Sequence, residues 1–164
     1  MTEEVHLHGV LIKMNDSGVF ITGDAGVGKS SLALELLYQG HTLIADDNVT
    51  FYKQKNKIIG HCPSVLEELL HTRELGLISV STLFGEQAWQ QKHALDLIVE
   101  ITEKSSDAIQ LILDKKTRSI LGRPIPLLTL SLYNPASLVH RIQCYLSMQQ
   151  HPSHHPEKIM SRRQ

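Results

Sequence analysis

A short apolar strand, a glycine-rich loop and an amphipathic helix follow one another near the start of this 164-residue sequence. The strand is "VFIT" (19–22), the loop is "GDAGVGKS" (23–30), and the helix is predicted from about Lys29 to Gln39. Gly40 suits the C-terminal cap of this helix, and its predicted inward stripe consists of Leu32, Ala33, Leu36 and Leu37. The loop matches the pattern G-x-x-x-x-G-K-S, and both flanking elements are of the type that this pattern requires. A chance glycine-rich turn is a poor alternative, because all eight positions and both flanks agree. The order of elements favours an α/β fold.

The composition of the loop suits it to hold a phosphate. Glycines let successive backbone N–H groups turn inward without a Cβ in the way, and the helix directs its positive N-terminal dipole to the same place. Lys29 is predicted to reach the β- and γ-phosphates, and the Ser30 hydroxyl is predicted to bind Mg²⁺. The predicted nucleotide-binding residues are Gly23, Asp24, Ala25, Gly26, Val27, Gly28, Lys29 and Ser30.

Two adjacent carboxylates, Asp46 and Asp47, follow the predicted strand "HTLIA" (41–45). A strand end after a phosphate loop is where a magnesium-binding aspartate is usually presented. Adjacent residues at a strand end point in different directions. One carboxylate is therefore expected to face Mg²⁺, while the other faces a substrate hydroxyl as general base. A strand-ending Asx turn is the structural alternative.

The remaining pattern mixes strands, hairpins and few helices. Ser64 is predicted to cap a helix that runs to about Thr72, with Glu67 as its capping-box partner, and a closing helix is predicted after Pro135. A hairpin is predicted over "KQKN" (53–56). Residues 1–150 are predicted to form one domain, and residues 151–164 a flexible tail. The other predicted strands share β-branched or alternating apolar residues and lie at 5–14, 75–80, 95–101, 108–113 and 127–133.

Charge and cysteine content exclude several classes of function. The formal net charge is −1, so no basic field predicts a nucleic-acid partner. Cys62 and Cys144 are far apart and form no CxxC pattern, which fits a reducing compartment. The N-terminal stretch carries acids and has no long apolar run, so neither a signal peptide nor a membrane span is predicted. The expected location is the cytoplasm.

Three stretches together resemble a known family. They are "HGVLIKMNDSGVFITGDAGVGKSSLALELL" from His8, the nearby "ADD", and "LGLISVSTLFG" (75–85). They are similar to the C-terminal catalytic domain of bacterial HPr kinase/phosphorylase, in the shortened form that lacks an N-terminal domain. The resemblance implies a P-loop kinase core related to phosphoenolpyruvate carboxykinase, with a mixed sheet and flanking helices. It also implies ATP- and Mg²⁺-dependent phosphorylation of a serine of HPr, a carrier of the sugar phosphotransferase system, and hence regulation of carbohydrate metabolism.

The resemblance also assigns roles by position. Lys29 matches the phosphate-binding lysine, Ser30 the magnesium serine, and Asp47 the carboxylate that deprotonates the target serine. Asp46 is its metal-side neighbour, and His8 matches a histidine of the family active site. The implied assembly is a homo-oligomer, a hexamer in full-length members, and neither nucleic acid nor membrane is an expected partner.

The sequence departs from the family pattern in three places. His71 stands where the family has a glutamate that helps to hold magnesium, and Ala108 where it has an arginine. The stretch "LLTLSLYNPASL" (127–138) lacks the family's glycine-arginine-asparagine turn, which argues against the reverse, phosphorolytic reaction. Two other functions stay open. One is a nucleotide-binding regulator with little or no turnover, and the other is a small-molecule kinase or carboxykinase relative.

Overall fold

The computed structural model describes residues 3–105, 116–154 and 156–162. These residues form α-helices and β-strands numbered here in chain order. The strands are β1 (Glu4–His8), β2 (Val10–Met14), β3 (Ser17–Gly23), β4 (Thr42–Ala45), β5 (Asn48–Gln54), β6 (Lys57–His61), β7 (Leu69–Thr72), β8 (Gly76–Ser79), β9 (Lys92–Ala94), β10 (Leu97–Thr102), β11 (Thr117–Ile120) and β12 (Arg123–Ser131). The helices are α1 (Lys29–Tyr38), α2 (Val80–Phe84), α3 (Leu138–Gln150) and α4 (Pro156–Ser161).

A six-stranded mixed sheet carries the fold, with the strand order β11-β12-β10-β3-β2-β4. Strands β3, β10 and β12 are parallel. Strand β2 is antiparallel to both β3 and β4, so β4 runs in the direction of β3. The carboxyl ends of β3, β4, β10 and β12 therefore meet at one edge of the sheet. The predicted α/β class is confirmed.

Side chains alternate between the two faces of this sheet and enter two separate cores. On one face, Ile12, Ile21 and Val99 pack against α1 and α3. On the other face, Leu11 and Phe20 pack against Phe51 of a second, four-stranded sheet with the order β1-β5-β6-β9. Both faces of the central strands are covered, which explains their nearly continuous apolar sequences.

The helix after the phosphate loop is the element that sequence predicted most closely. Helix α1 spans Lys29–Tyr38 and buries the predicted inward stripe of Leu32, Ala33, Leu36 and Leu37. Gly40 has φ +88°. The Gly40 N–H donates to Leu37 O, and the next residue's N–H donates to Leu36 O. This paired arrangement is a Schellman end, for which the left-handed glycine is suited.

The helix predicted from Ser64 to Thr72 is wrong. The chain forms one 3₁₀ turn at Ser64–Leu66, and its cap residue is Pro63 rather than Ser64. Strand β7 then pairs with β8 in an antiparallel hairpin. The residues of β7 alternate in burial, with Leu70 and Thr72 inward and His71 outward. An alternation of buried and exposed side chains with a period of two is typical of a strand. The predicted capping box with Glu67 is therefore wrong, because the helix that it would begin does not form.

Other strand predictions differ mainly in their limits. The strand predicted over 5–14 breaks at Gly9, and β1 and β2 join different sheets. A Cβ added at Gly9 would clash with Ile21 O, so the break is a position that suits glycine. Strand β3 extends over Ser17–Gly23, and a turn at residues 15–16 precedes it. The hairpin joining β5 and β6 is confirmed. The strand predicted at 108–113 lies outside the described residues.

The prolines of β12 lie where the strand has only one neighbour. Pro124 and Pro126 pair with β11, whereas pairing with β10 begins at Leu127. A proline cannot donate a hydrogen bond to a neighbouring strand, so this position at the edge of the sheet suits both residues.

The C-terminal part of the chain is helical where it is described. Helix α3 begins at Leu138, with the Ser137 side chain accepting from the His140 N–H. A 3₁₀ turn at Pro152–His154 and α4 follow it. The division of the chain into a domain and a tail at residue 150 stays a prediction. In the part of the chain described, no helix is long and apolar enough to cross a bilayer.

Candidate active site

The phosphate loop connects the carboxyl end of β3 to the start of α1. Gly26 and Gly28 have φ values of +88° and +96°, in the left-handed region that favours glycine. Val27 lies between them, only 5% exposed, and anchors the loop in the core. Its N–H donates to Asp24 O at 3.3 Å. The loop is therefore a turn anchored in the core by Val27, and it needs glycine at positions 26 and 28 because both have positive φ.

The Lys29 side chain bends back over this loop. Its Nζ donates to Gly23 O at 2.8 Å and to Asp24 O at 3.0 Å. The ammonium group is thereby held at the mouth of the loop, where the backbone N–H groups and the start of α1 also favour negative charge. This arrangement concentrates positive charge where a phosphate would be bound.

Asp46 is the inward member of the carboxylate pair and is only 5% exposed. Its Oδ1 accepts from Ser30 Oγ at 3.4 Å, and its Oδ2 accepts from the His71 N–H at 2.7 Å. Burial raises the pKa of this carboxyl, and the two hydrogen bonds oppose that shift. Asp46 thus joins the phosphate loop to the hairpin of β7 and β8.

Asp47 is the outward member, and its side chain is 75% exposed. Its φ is +69°, and the Asn48 N–H donates to Asp46 O at 2.8 Å across it. Such a three-residue turn with positive φ is rare and strained. The two carboxylates therefore face different environments, in line with their predicted divergence at a strand end.

His8 lies directly beside Asp47. The His8 Nδ1–H donates to Asp47 O at 3.1 Å, and Gly9 N–H donates to the same oxygen at 3.4 Å. His8 Nδ1 is also 3.9 Å from Asp47 Oδ1. These contacts hold the strained turn from the end of β1, so the sequence-predicted residues His8 and Asp47 meet although 39 positions separate them.

An open cavity of about 570 Å³ lies between the phosphate loop and the hairpin of β7 and β8, and Asp47 lines it. One wall is the phosphate loop with Lys29 and Ser30, and the opposite wall is the hairpin tip from His71 to Leu75. Arg73 reaches towards the loop, since a Cβ built on Gly26 would lie 3.6 Å from Arg73 Nη2. The predicted site residues of the loop, Asp46 and Asp47 are thus brought together, and Arg73 joins them. The sequence pattern predicted a helix up to about Thr72 and no hairpin in this segment, so it did not indicate that Arg73 lies at a hairpin tip.

The donor atoms present fit a magnesium ion that is shared with a nucleotide. Ser30 Oγ and Asp46 Oδ1 are hard oxygen donors at the mouth of the loop, and Mg²⁺ commonly binds through one or two protein oxygens plus phosphates and water. Among the described residues, no group of three or more His, Cys, Asp or Glu side chains is placed to hold a metal without such help. His71 offers its backbone N–H to Asp46, so its imidazole does not replace a missing carboxylate in that contact.

The fold and the site define a P-loop α/β protein with a carboxylate pair beside its phosphate loop. Comparison with known proteins makes this class specific. The chain belongs to the family described as HPr Serine kinase C-terminal domain, whose sequence model matches residues 1–163. The predicted family is confirmed.

Curated relatives and a solved structure agree with this assignment. The HPr kinase/phosphorylase of Aromatoleum aromaticum is 39% identical over 129 residues, which are 76% of this chain and 41% of that protein. The HPr kinase/phosphorylase of Burkholderia lata is 43% identical over 128 residues, 77% of this chain and 40% of that protein. The structure of the Hpr(Ser) kinase/phosphatase from Coxiella burnetii matches with a TM-score of 0.82 and 28% identity, covering 89% of this chain and 90% of that chain. The chain thus spans about two fifths of the curated relatives it matches.

Proposed function

We propose that this protein is an ATP- and Mg²⁺-dependent protein-serine kinase that acts on HPr or a related carrier protein of the phosphotransferase system. The observation that carries the proposal is the strained turn that presents Asp47 to solvent beside the phosphate loop, with His8 bonded to its carbonyl. The family membership supplies the class of acceptor. The cytoplasm is the location in which such a carrier would be met.

In the proposed reaction, the loop from Gly23 to Ser30 binds the phosphates of ATP. Asp47 accepts the proton of the acceptor serine as that oxygen attacks the γ-phosphorus, and ADP leaves in line with the attack. Lys29 neutralises charge that develops on the γ-phosphoryl oxygens. A magnesium ion bound by Ser30 and Asp46 would supply further positive charge to the same oxygens.

The two carboxylates suit different roles because their environments differ. The buried Asp46 already accepts two hydrogen bonds and faces the Ser30 hydroxyl, which suits a metal ligand. The Asp47 side chain is exposed to an approaching protein and has the His8 ring beside it, which suits a base. His8 is proposed to position Asp47 through the backbone carbonyl rather than to transfer the proton itself.

The proposal is tested with labelled ATP and a cognate HPr. Asp47→Asn is expected to lower the rate of transfer to serine by on the order of 10²–10⁴-fold, because the base is lost. Nucleotide affinity should remain within a few-fold of wild type. Asp16→Asn, in the exposed turn before β3, is the matched control and should leave the rate unchanged. Transfer that persists at the wild-type rate in Asp47→Asn contradicts the proposed role of Asp47.

A nucleotide-binding regulator with little turnover is the second candidate. It is favoured by His71, because imidazole is a poor partner for Mg²⁺. Calorimetry that shows tight ATP binding, together with no transfer to any carrier protein, would support the regulator over the kinase.

The reverse, phosphorolytic reaction is tested by incubating the protein with serine-phosphorylated carrier and inorganic phosphate. We expect that reaction to be weak, because the loop after β12 lacks arginine.

A further inference from the structure

A second loop lies at the same edge of the sheet as the phosphate loop. It follows β12 and spans residues 132–137. Gly23 at the end of β3 is level with Ile101 of β10, which is level with Leu130 of β12. The starts of the two loops are therefore two strand spacings apart across the sheet, a distance of about 10 Å. Crevices at the carboxyl ends of such strands are where α/β proteins bind ligands.

The strand order and the proposed magnesium site together give a direction for a bound nucleotide. Asp46 follows β4, on the β2 side of β3, and accepts from Ser30 Oγ, so a terminal phosphate bound to the proposed magnesium ion would lie on that side. A nucleoside triphosphate held by its phosphates in the loop must then extend its sugar and base the other way. That direction leads over the ends of β10 and β12, towards the loop 132–137.

One half-buried guanidinium braces this second loop. Arg141 of α3 donates to Ser131 O at 3.1 Å, to Asn134 O at 3.3 Å and to Ala136 O at 2.8 Å. Ser131 Oγ further donates to Lys104 O at 2.7 Å. Three carbonyls of a short segment are thus tied to a single side chain, so the segment is a preorganised surface.

The braced loop exposes an aromatic and an aliphatic side chain. Tyr133 is 72% exposed and Leu132 is 39% exposed. The Tyr133 N–H is itself bonded to Ser131 Oγ at 3.1 Å, which fixes the backbone that carries the ring. Exposed aromatic rings on a rigid support are well suited to stack on the flat face of a nucleobase.

We propose that Tyr133, supported by Leu132, is the stacking surface for the purine base of the nucleotide. This inference rests on the nucleotide site of the proposed function and names the part of the substrate that the phosphate loop does not contact. Stacking uses the π-face that every base has. The surface is therefore expected to bind ATP and GTP with similar affinity while selecting nucleotides over base-free polyphosphates.

The test measures binding by calorimetry without an acceptor protein, using ATP, GTP and inorganic triphosphate, each with Mg²⁺. Tyr133→Ala is expected to weaken ATP and GTP binding by about 5- to 150-fold, the range for loss of one stacked base. Triphosphate affinity should stay within about twofold of wild type. Tyr133→Phe keeps the ring and should keep the affinity.

Tyr38→Ala is the matched control. Tyr38 is 77% exposed, and it lies at the far end of α1 from the phosphate loop, about 15 Å along the helix. The Tyr38→Ala variant should bind ATP, GTP and triphosphate with the affinities of the wild-type protein. Equal weakening of ATP and triphosphate in Tyr133→Ala, or unchanged ATP affinity, overturns the stacking proposal but leaves the kinase proposal standing. Wild-type protein that binds none of the three ligands overturns both.

Discussion

The two walls of the active-site cavity are built differently. The phosphate loop is anchored by the buried Val27, and the adjoining Asp46 is buried and doubly bonded. The hairpin of β7 and β8 leaves Leu75 and Leu77 more than 60% exposed and touches the loop side through the His71 N–H. Rigid groups thus face the proposed nucleotide site, whereas the second wall is exposed and carries apolar side chains. Substitutions in the first wall should change chemistry, and those in the second should change it less.

The largest contrast is expected between the two cations of the cavity. Lys29→Met should lower the rate of phosphoryl transfer by on the order of 10²–10³-fold, because the transition-state charge loses a preorganised partner. Arg73→Met should lower it by about fivefold or less, because an exposed cation is screened by water. Single-turnover rates with saturating ATP measure both. The exposed Lys57 provides the control variant, Lys57→Met. Equal losses of transfer rate in Lys29→Met and Arg73→Met would contradict the expected difference between the two walls.

Two glycines allow the same backbone change to be made in each wall. Gly28 in the loop and Gly76 in the hairpin have φ of +96° and +76°, and no atom lies within 4 Å of an added Cβ at either position. Alanine should cost each about 1 kcal/mol of unfolding free energy through the left-handed backbone alone. Only Gly28→Ala should also weaken ATP binding, by about tenfold or more, since the loop N–H groups would shift. Denaturant titration and calorimetry separate the two effects, and a comparable loss of affinity in Gly76→Ala would contradict the assignment.

A carboxylate introduced at position 71, on the exposed wall, should strengthen Mg²⁺ binding at the proposed metal site. His71→Glu is expected to lower the Mg²⁺ concentration for half-maximal ATP binding by about two- to tenfold, because Mg²⁺ prefers oxygen ligands. The backbone N–H that bonds Asp46 is kept in this variant. His71→Gln is the control of matched size without the charge. An unchanged Mg²⁺ dependence in His71→Glu would place the side chain outside the metal site.

The smallest expected effect is on the pH dependence of stability. Burial raises the pKa of Asp46 above its ordinary value, so the folded protein binds more protons than the unfolded chain between the two pKa values. The unfolding free energy contributed by this group therefore falls as pH rises through that window. Asp46→Asn should flatten this fall, and Asp16→Asn should not. Denaturation curves from about pH 4 to 7 measure the slopes, and equal slopes in wild type and Asp46→Asn would contradict the raised pKa.

Local patterns were sufficient for some elements and failed for others. The limits and inward stripe of α1 followed from sequence, because a glycine at each end and a regular apolar stripe agree with one another. The segment 64–72 carried a helix-start signal with Ser64 and Glu67, yet it forms a 3₁₀ turn and a strand. Its partner strand β8 supplied hydrogen bonds that no local signal predicts.

By itself, the sequence determined the phosphate loop, the helix that follows it and the presence of two carboxylates at a strand end. These features depend on residues within a few positions of one another, where glycine conformation and helix period decide the outcome. Only the tertiary structure decided that His8 holds the Asp47 turn, that the hairpin of β7 and β8 forms the second wall, and that Arg141 braces the loop bearing Tyr133. Each of these contacts joins groups through the order and direction of strands in the sheet. Strand order is set by burial over the whole chain, so it cannot be read from neighbouring residues.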